Sequence, residues 1–205
     1  QEVKNILKEY SSKDSRIKAI FRTDGGHISE ATNSGLKEAT GEFCSFLDHD
    51  DELTEHALYC VVNELNQNRK LDIIYSDEDK KDLHGTRHKP YFKTDWNPDL
   101  LLQQNYVCHF LTIRKELVDK VGGFRSECNG AQDWDLLLRS ADESEEAKIK
   151  HIPRVLYHWR VMPGSTAEST AYKPYVLEAQ KKAVIDHLLR NGENVKSVDI
   201  RTDID

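Results

Sequence analysis

Phe43-Cys44-Ser45-Phe46-Leu47-Asp48-His49-Asp50-Asp51 is the stretch on which the reading of this chain turns. An apolar run from Phe43 to Leu47 has the pattern of a buried strand, and it ends abruptly in acid. Adjacent carboxylates repel one another, so such a cluster calls for a cation or for solvent. Carboxylate oxygens are hard ligands that suit Mg²⁺ or Mn²⁺. In open α/β sheets, ligands gather at the carboxyl ends of strands, and this cluster stands at one. The competing reading is a solvated strand-to-helix turn, with Asp51 and Glu52 favouring the N-terminus of the next helix.

Outward from this strand, the pattern alternates. Val3, Ile6, Leu7 and Tyr10 follow helical spacing, and Ile17 to Phe21 reads as a strand. Ser29 is a candidate N-cap for a helix running to Ala39, stopped by Gly41. Thr54 is a candidate cap for a helix with Leu58, Val61, Val62 and Leu65 as its apolar stripe. Leu71 to Tyr75 is a second strand that ends in acid, Ser76-Asp77-Glu78-Asp79. Strand and helix in alternation predict a doubly wound, mainly parallel sheet. Residues 80 to 98 read as a long loop, a type of segment that is usually functional in a compact domain. Beyond it the spacing predicts helices over 100–104, 115–120, 133–141 and 174–189, and strands over 110–113 and 155–159.

The chain has 205 residues, enough for a single domain with a real core. Basic residues number 29 and acidic residues 36, a formal charge of −7 that offers no general surface for a polyanion and argues against nucleic acid. No apolar run approaches the ~20 residues of a membrane span, and nothing at the start reads as a signal peptide. Cys44, Cys60, Cys108 and Cys128 are widely spaced, with no C-x-x-C pair, so they read as free thiols. That points to the cytoplasm, with a place at the inner face of a membrane left open for a fuller protein.

Read together, several blocks resemble family 2 glycosyltransferases with the GT-A fold, in particular bacterial surface-polysaccharide and rhamnosyl-type enzymes. The blocks are Ile28-Ser29-Glu30-Ala31-Thr32-Asn33-Ser34, Ala39-Thr40-Gly41-Glu42-Phe43, the Asp48-His49-Asp50-Asp51 motif and Tyr75-Ser76-Asp77-Glu78-Asp79-Lys80. Phe92 to Leu101, Val121 to Arg125, Gly130 to Leu136, His158-Trp159-Arg160 and Gly164 to Ala167 follow in family order. The resemblance implies one GT-A-type domain over 1–205, a Rossmann-like mixed sheet flanked by helices. Residues 1–75 would be the nucleotide-binding half and 76–205 the acceptor half. The first strand and base-binding segment of the family pattern have no counterpart here, so an N-terminally incomplete domain with weak donor binding is expected.

The resemblance also implies a chemistry: inverting transfer of a hexosyl or rhamnosyl group from a UDP- or dTDP-sugar to a glycan or lipid-linked acceptor. Asp50 and Asp48 would hold the metal, and Asp48 would also serve the donor. His158 is a candidate further ligand, against a buried histidine bonded within the fold. Arg160, two positions on and on the same strand face, suits a diphosphate, against a surface salt bridge. Asn33, Ser165 and Thr166 complete the donor set, the last two in a loop that could close over it. Asp133 is the candidate general base, against a helix cap; a base on the acceptor side implies single displacement. Asp77, Asp79, Trp96, Gln132 and Trp134 are acceptor candidates, with a solvated turn competing for the two carboxylates and the core for Trp96. His109 is left without a role. A non-catalytic glycan-binding or partner-binding remnant is the main alternative. A nucleotidyltransferase is weakened by the lack of a Gly- and Arg-rich triphosphate loop, and a metal-dependent phosphatase by the lack of its partner motifs.

Overall fold

The computed structural model describes residues 2–161 and 174–200. In chain order the elements are helix α1 (Glu2–Lys13), helix α2 (Ile28–Glu38), strand β1 (Phe43–Ser45), the two-residue strand β2 (Glu52–Leu53), helix α3 (Ala57–Gln67), strand β3 (Ile73–Lys81) and strand β4 (Arg87–Tyr91). They continue with helix α4 (Pro98–Gln103), strand β5 (Leu111–Arg114), helix α5 (Lys115–Lys120), helix α6 (Gln132–Asp142), strand β6 (Ile149–Arg160) and helix α7 (Pro174–Arg190).

The strands form one mixed sheet in the order β1-β5-β3-β6-β2, with β4 on the far part of β3. Only the β3–β6 ladder is parallel among the described strands; β1–β5, β5–β3, β3–β4 and β2–β6 are antiparallel. A mixed sheet between helices is the expected architecture, but the expected mainly parallel character does not hold. Alternation of strand and helix along a chain gives element order, whereas the direction of each ladder depends on which strands meet.

Strand β3 runs through the middle and separates two cores. Ile73 and Tyr75 point to one face, where they pack with Leu111, Leu117, Trp134 and Leu137. Ile74 points to the other, against Ala57, Val61, Phe110 and Leu156. This is the period-2 alternation of a strand buried on both sides.

Several local expectations are corrected. The strand expected over 71–75 runs on through the acidic residues to Lys81, because β6 pairs with it along its whole length, Asp79 opposite His158 included. The loop expected over 80–98 contains a hairpin. Asp82 Oδ1 accepts from the His84 and Thr86 amides, closing the turn into β4. No strand forms over 17–21; no neighbouring strand supplies a ladder among the described residues, and Ile17, Ile20 and Phe21 are exposed. Ser29 is no cap. It lies inside α2, buried, with its hydroxyl 2.7 Å from Asn129 Oδ1. Thr54 does not cap α3 either; its buried hydroxyl has no partner. The buried side of α3 is Ala57, Cys60 and Val61, while Leu58 and Val62 face outward. Bulk apolarity misplaced that stripe because the small Ala57 and Cys60 are what permit close approach to the sheet.

Candidate active-site cleft

The carboxyl end of β1 opens onto a cleft of about 1700 Å³. Its wall includes Asp48 from the turn after β1, Glu78 and Asp79 from β3, His109 before β5, Asp133 at the start of α6 and Trp159 from β6. Five separate segments supply these side chains, and the sheet brings them together.

His109 sits at the centre and had no assignment from sequence. Its ring stacks on Tyr157 at 4.6 Å between centroids and leans on Trp159 at 5.4 Å. Its Nε2 faces Asp48 Oδ2 at 3.8 Å, and its Nδ1 faces Glu78 Oε2 at 3.4 Å and Cys108 Sγ at 3.2 Å. Burial by itself would lower the His109 pKa, but Cys108 and Glu78 outweigh it and hold the imidazolium well above the ordinary histidine range. No spacing signal could have found this residue. Its importance comes from β5 lying beside β3.

Asp48, Asp51 and His109 offer ligand atoms within 4.8 Å of one another. Two carboxylates and an imidazole form a donor set that fits Mn²⁺ or Mg²⁺ by its hardness. Asp48 is exposed, which leaves its oxygens open to a ligand. Asp51 is buried. It accepts from the Tyr157 hydroxyl and, at 2.8 Å, from the Arg160 amide. Burial pushes its carboxyl pKa up, and these hydrogen bonds only partly offset that. Asp50 is half-buried, 3.7 Å from His49 Nδ1, and lies outside both this group and the cleft wall.

Asp133 is the second residue of α6, whose N-cap position is Ala131, so capping does not account for it. Asn105 Nδ2 donates to its Oδ2 at 2.7 Å. Burial pushes the Asp133 carboxyl up, against opposing pulls from His109, the helix-end amides and Asn105. Beside it Gln132 accepts from the Gly130 amide at 2.7 Å, and Trp134 donates its indole N–H to the Leu101 carbonyl at 2.9 Å; both line the cleft.

The other sequence candidates are engaged within the fold. His158 Nδ1 is 2.6 Å from Asp79 Oδ1, and Arg87 Nε donates to Asp79 Oδ2 at 2.7 Å. Arg160 pairs with Glu52, as does Lys81 at 2.5 Å. Asp77 is buried between His151 Nε2 at 2.8 Å and the Lys93 amide at 2.9 Å. Asn33 clamps the backbone of Phe124, donating to its carbonyl at 2.7 Å and accepting from its amide at 2.9 Å. Gly123 (φ +69°) makes that clamp possible, since a Cβ there would stand 2.7 Å from Asn33 Oδ1. Trp96 packs against the core rather than the cleft. Ser165 and Thr166 lie outside the described residues.

Comparison with known proteins agrees with this architecture. Solved structures of similar fold include TarS 1-349 of S. aureus in complex with UDP-GlcNAc, at a TM-score of 0.69 and 18% identity over 92% of this chain and 54% of that one. Another is the mannosyltransferase PcManGT of Pyrobaculum calidifontis with GDP-Man and Mn²⁺, at a TM-score of 0.54 and 14% identity over 94% and 52%. These establish the GT-A fold. Among curated relatives, the O-antigen biosynthesis protein RfbC of Myxococcus xanthus is 38% identical over 93% of this chain and 15% of its own length. The uncharacterized protein y4gI of Sinorhizobium fredii is 44% identical over 96% of this chain and 22% of its own. The chain thus spans less than a quarter of either relative. No helix among the described residues is long and apolar enough to cross a membrane. Residues 1–122 match the family described as Glycosyl transferase family 2, and the chain belongs to that family.

Proposed function

We propose that this chain is the core of an inverting, metal-dependent glycosyltransferase of surface-polysaccharide synthesis, acting from a nucleoside-diphosphate sugar onto a glycan or lipid-linked acceptor. The observation that carries the reading is one cleft lined by Asp48, His109 and Asp133. It joins a hard-cation donor set to a carboxyl group of raised pKa. The relative named for O-antigen biosynthesis and the fold neighbour holding UDP-GlcNAc support the pathway and the donor class.

Asp133 is the base. Asn105 donates to its Oδ2, and the carboxylate takes the proton of an acceptor hydroxyl. Burial lifts its pKa towards the working range, and a base is most effective when its pKa lies near the operating pH. Mn²⁺ or Mg²⁺ would be held by Asp48, Asp51 and His109, with Asp50 and His158 as the competing ligands, and would neutralise the charge that develops on a leaving diphosphate. Gln132 and Trp134 flank the base as acceptor contacts, and Arg160, Ser165 and Thr166 remain donor contacts. Asn33, Asp77 and Trp96 fall to structural roles in this reading, and Asp79 to holding His158.

The test is Asp133→Asn, assayed with donor saturating. Turnover should fall by ~10²–10⁴-fold, the usual loss for a positioned base, while calorimetric titration with Mn²⁺ and nucleotide is unchanged. Turnover within a few-fold of the parent removes Asp133 as the base. Retention of anomeric configuration, read by NMR of the product, overturns single displacement.

A further inference from the structure

The cleft contains a second donor set, which shares only His109 with the hard-cation group of the proposed transfer. Glu78, Cys108 and His109 also present ligand atoms within 4.8 Å of one another. Sulfur, imidazole and carboxylate together are the ligands of a borderline-soft cation such as zinc, whereas Asp48 and Asp51 are ligands for a hard one. We propose that Glu78, Cys108 and His109 form a binding site for a zinc-type divalent cation, separate in chemistry from the hard-cation set of Asp48 and Asp51.

The distances carry the argument. In a tetrahedral zinc site with Zn–S about 2.3 Å and Zn–N or Zn–O about 2.0–2.2 Å, neighbouring ligand atoms stand roughly 3.3–3.6 Å apart. Here Cys108 Sγ is 3.2 Å from His109 Nδ1, and the same Nδ1 is 3.4 Å from Glu78 Oε2. Two of the three ligand separations already match this spacing, and the third, Cys108 Sγ to Glu78, lies within 4.8 Å. Nδ1 is the ring nitrogen nearer to sulfur and Glu78, while Nε2 stands 3.7 Å from Cys108 Sγ and 3.8 Å from Asp48. Cys108 and His109 both line the cleft, which gives a path of entry, and the fourth position is left to water.

Two costs are met locally. Lys93 Nζ donates to Glu78 Oε2 at 2.9 Å, but it also donates to the Val107 carbonyl at 2.6 Å and to the His109 carbonyl. It therefore keeps partners when Glu78 turns to a cation, and Glu78 has a second oxygen to offer. Burial pushes the Cys108 thiol up. A dication at bonding distance reverses that preference and the raised pKa of His109 alike, and the thiol and the imidazolium each release a proton to solvent as the metal–sulfur and metal–nitrogen bonds form.

The experiment uses Co²⁺ as the spectroscopic probe on the whole chain. Titration should produce an intense near-ultraviolet thiolate-to-cobalt band at one equivalent, and Zn²⁺ should abolish it. Cys108→Ser should lose the band, and Asp48→Asn should keep it. Independently, on the unaltered protein, Zn²⁺ should protect Cys108 from iodoacetamide while Mg²⁺ does not, as read by peptide mass spectrometry. A band that persists in Cys108→Ser overturns the proposal. So does alkylation of Cys108 at the same rate with and without Zn²⁺, a result that requires no variant to fold. Neither outcome bears on Asp133, so failure here is distinct from failure of the transferase reading.

Discussion

Asp48-His49-Asp50-Asp51 and Asp77-Glu78-Asp79 are nearly equal stretches of acid, and each follows an apolar strand segment. They fold into opposite environments. The first leaves its sheet after β1 and turns, so Asp48 stands in water at the lip of the cleft. The second stays in β3, buried, with every carboxylate matched: Asp77 by His151, Glu78 by Lys93 and Asp79 by Arg87 and His158. The difference teaches that the number of carboxylates does not decide whether they are free for a ligand. The supply of partners from neighbouring elements does. β6 and the 93–109 segment bring cations and donors to β3, and nothing comparable reaches Asp48, whose nearest charged neighbour among those identified is His109 at 3.8 Å.

The sharpest way to break this comparison is Lys93→Met. A buried ion pair adds little net stability, because desolvation offsets attraction, but removing one partner strands the other charge. Glu78 would keep only His109 as a cationic neighbour, and the variant should be destabilised by about 3 kcal/mol in denaturant unfolding. A loss under about 1 kcal/mol would mean that β3 does not depend on its partners and that the two acidic stretches differ less than argued.

Acid comes next. Burial would raise the pKa of Glu78, but His109 and Lys93 outweigh it and hold the group below the ordinary glutamate range; Arg125 and Arg139 do the same for buried Asp135. A carboxylate with a depressed folded pKa stabilises the fold above its unfolded pKa, and that contribution is lost as pH falls through the folded value. The denaturation midpoint should therefore drop as pH falls below about 4, in the parent and equally in Asp48→Asn. Asp51 has the opposite sign. Its raised pKa means its ionisation costs stability as pH rises through the folded value, so Asp51→Asn should remove a loss of stability that sets in as pH rises above about 4. A profile unchanged by Asp51→Asn would put Asp51 with Asp48, in solvent.

The smallest effect on stability belongs to the lip. Asp48→Asn should change unfolding free energy by no more than about 0.5 kcal/mol, as surface substitutions do, yet it should weaken Mn²⁺-dependent nucleotide binding measured by calorimetry. Running Asp50→Asn and Asp51→Asn in the same titration ranks the three carboxylates of the turn. If Asp50→Asn weakens binding most, the ligand expected from sequence is favoured over the group formed with His109.

The sequence by itself determined the elements that local physics controls. Helix α5 was legible at both ends, and α4, α6 and α7 within two residues, because apolar spacing and capping chemistry act within a few turns. The ordered blocks around Asp48 and Asp133 were enough to indicate the family. Tertiary structure decided the rest. It ran β3 through Asp77-Glu78-Asp79 because β6 lies alongside with His151 and His158 in register. It turned the buried side of α3 to Ala57 and Cys60 rather than to Leu58 and Val62. It made His109 the centre of the cleft by setting β5 against β3. Each of these depends on which distant strand arrives as a neighbour, and that is settled by long-range pairing, which no spacing within a single segment encodes.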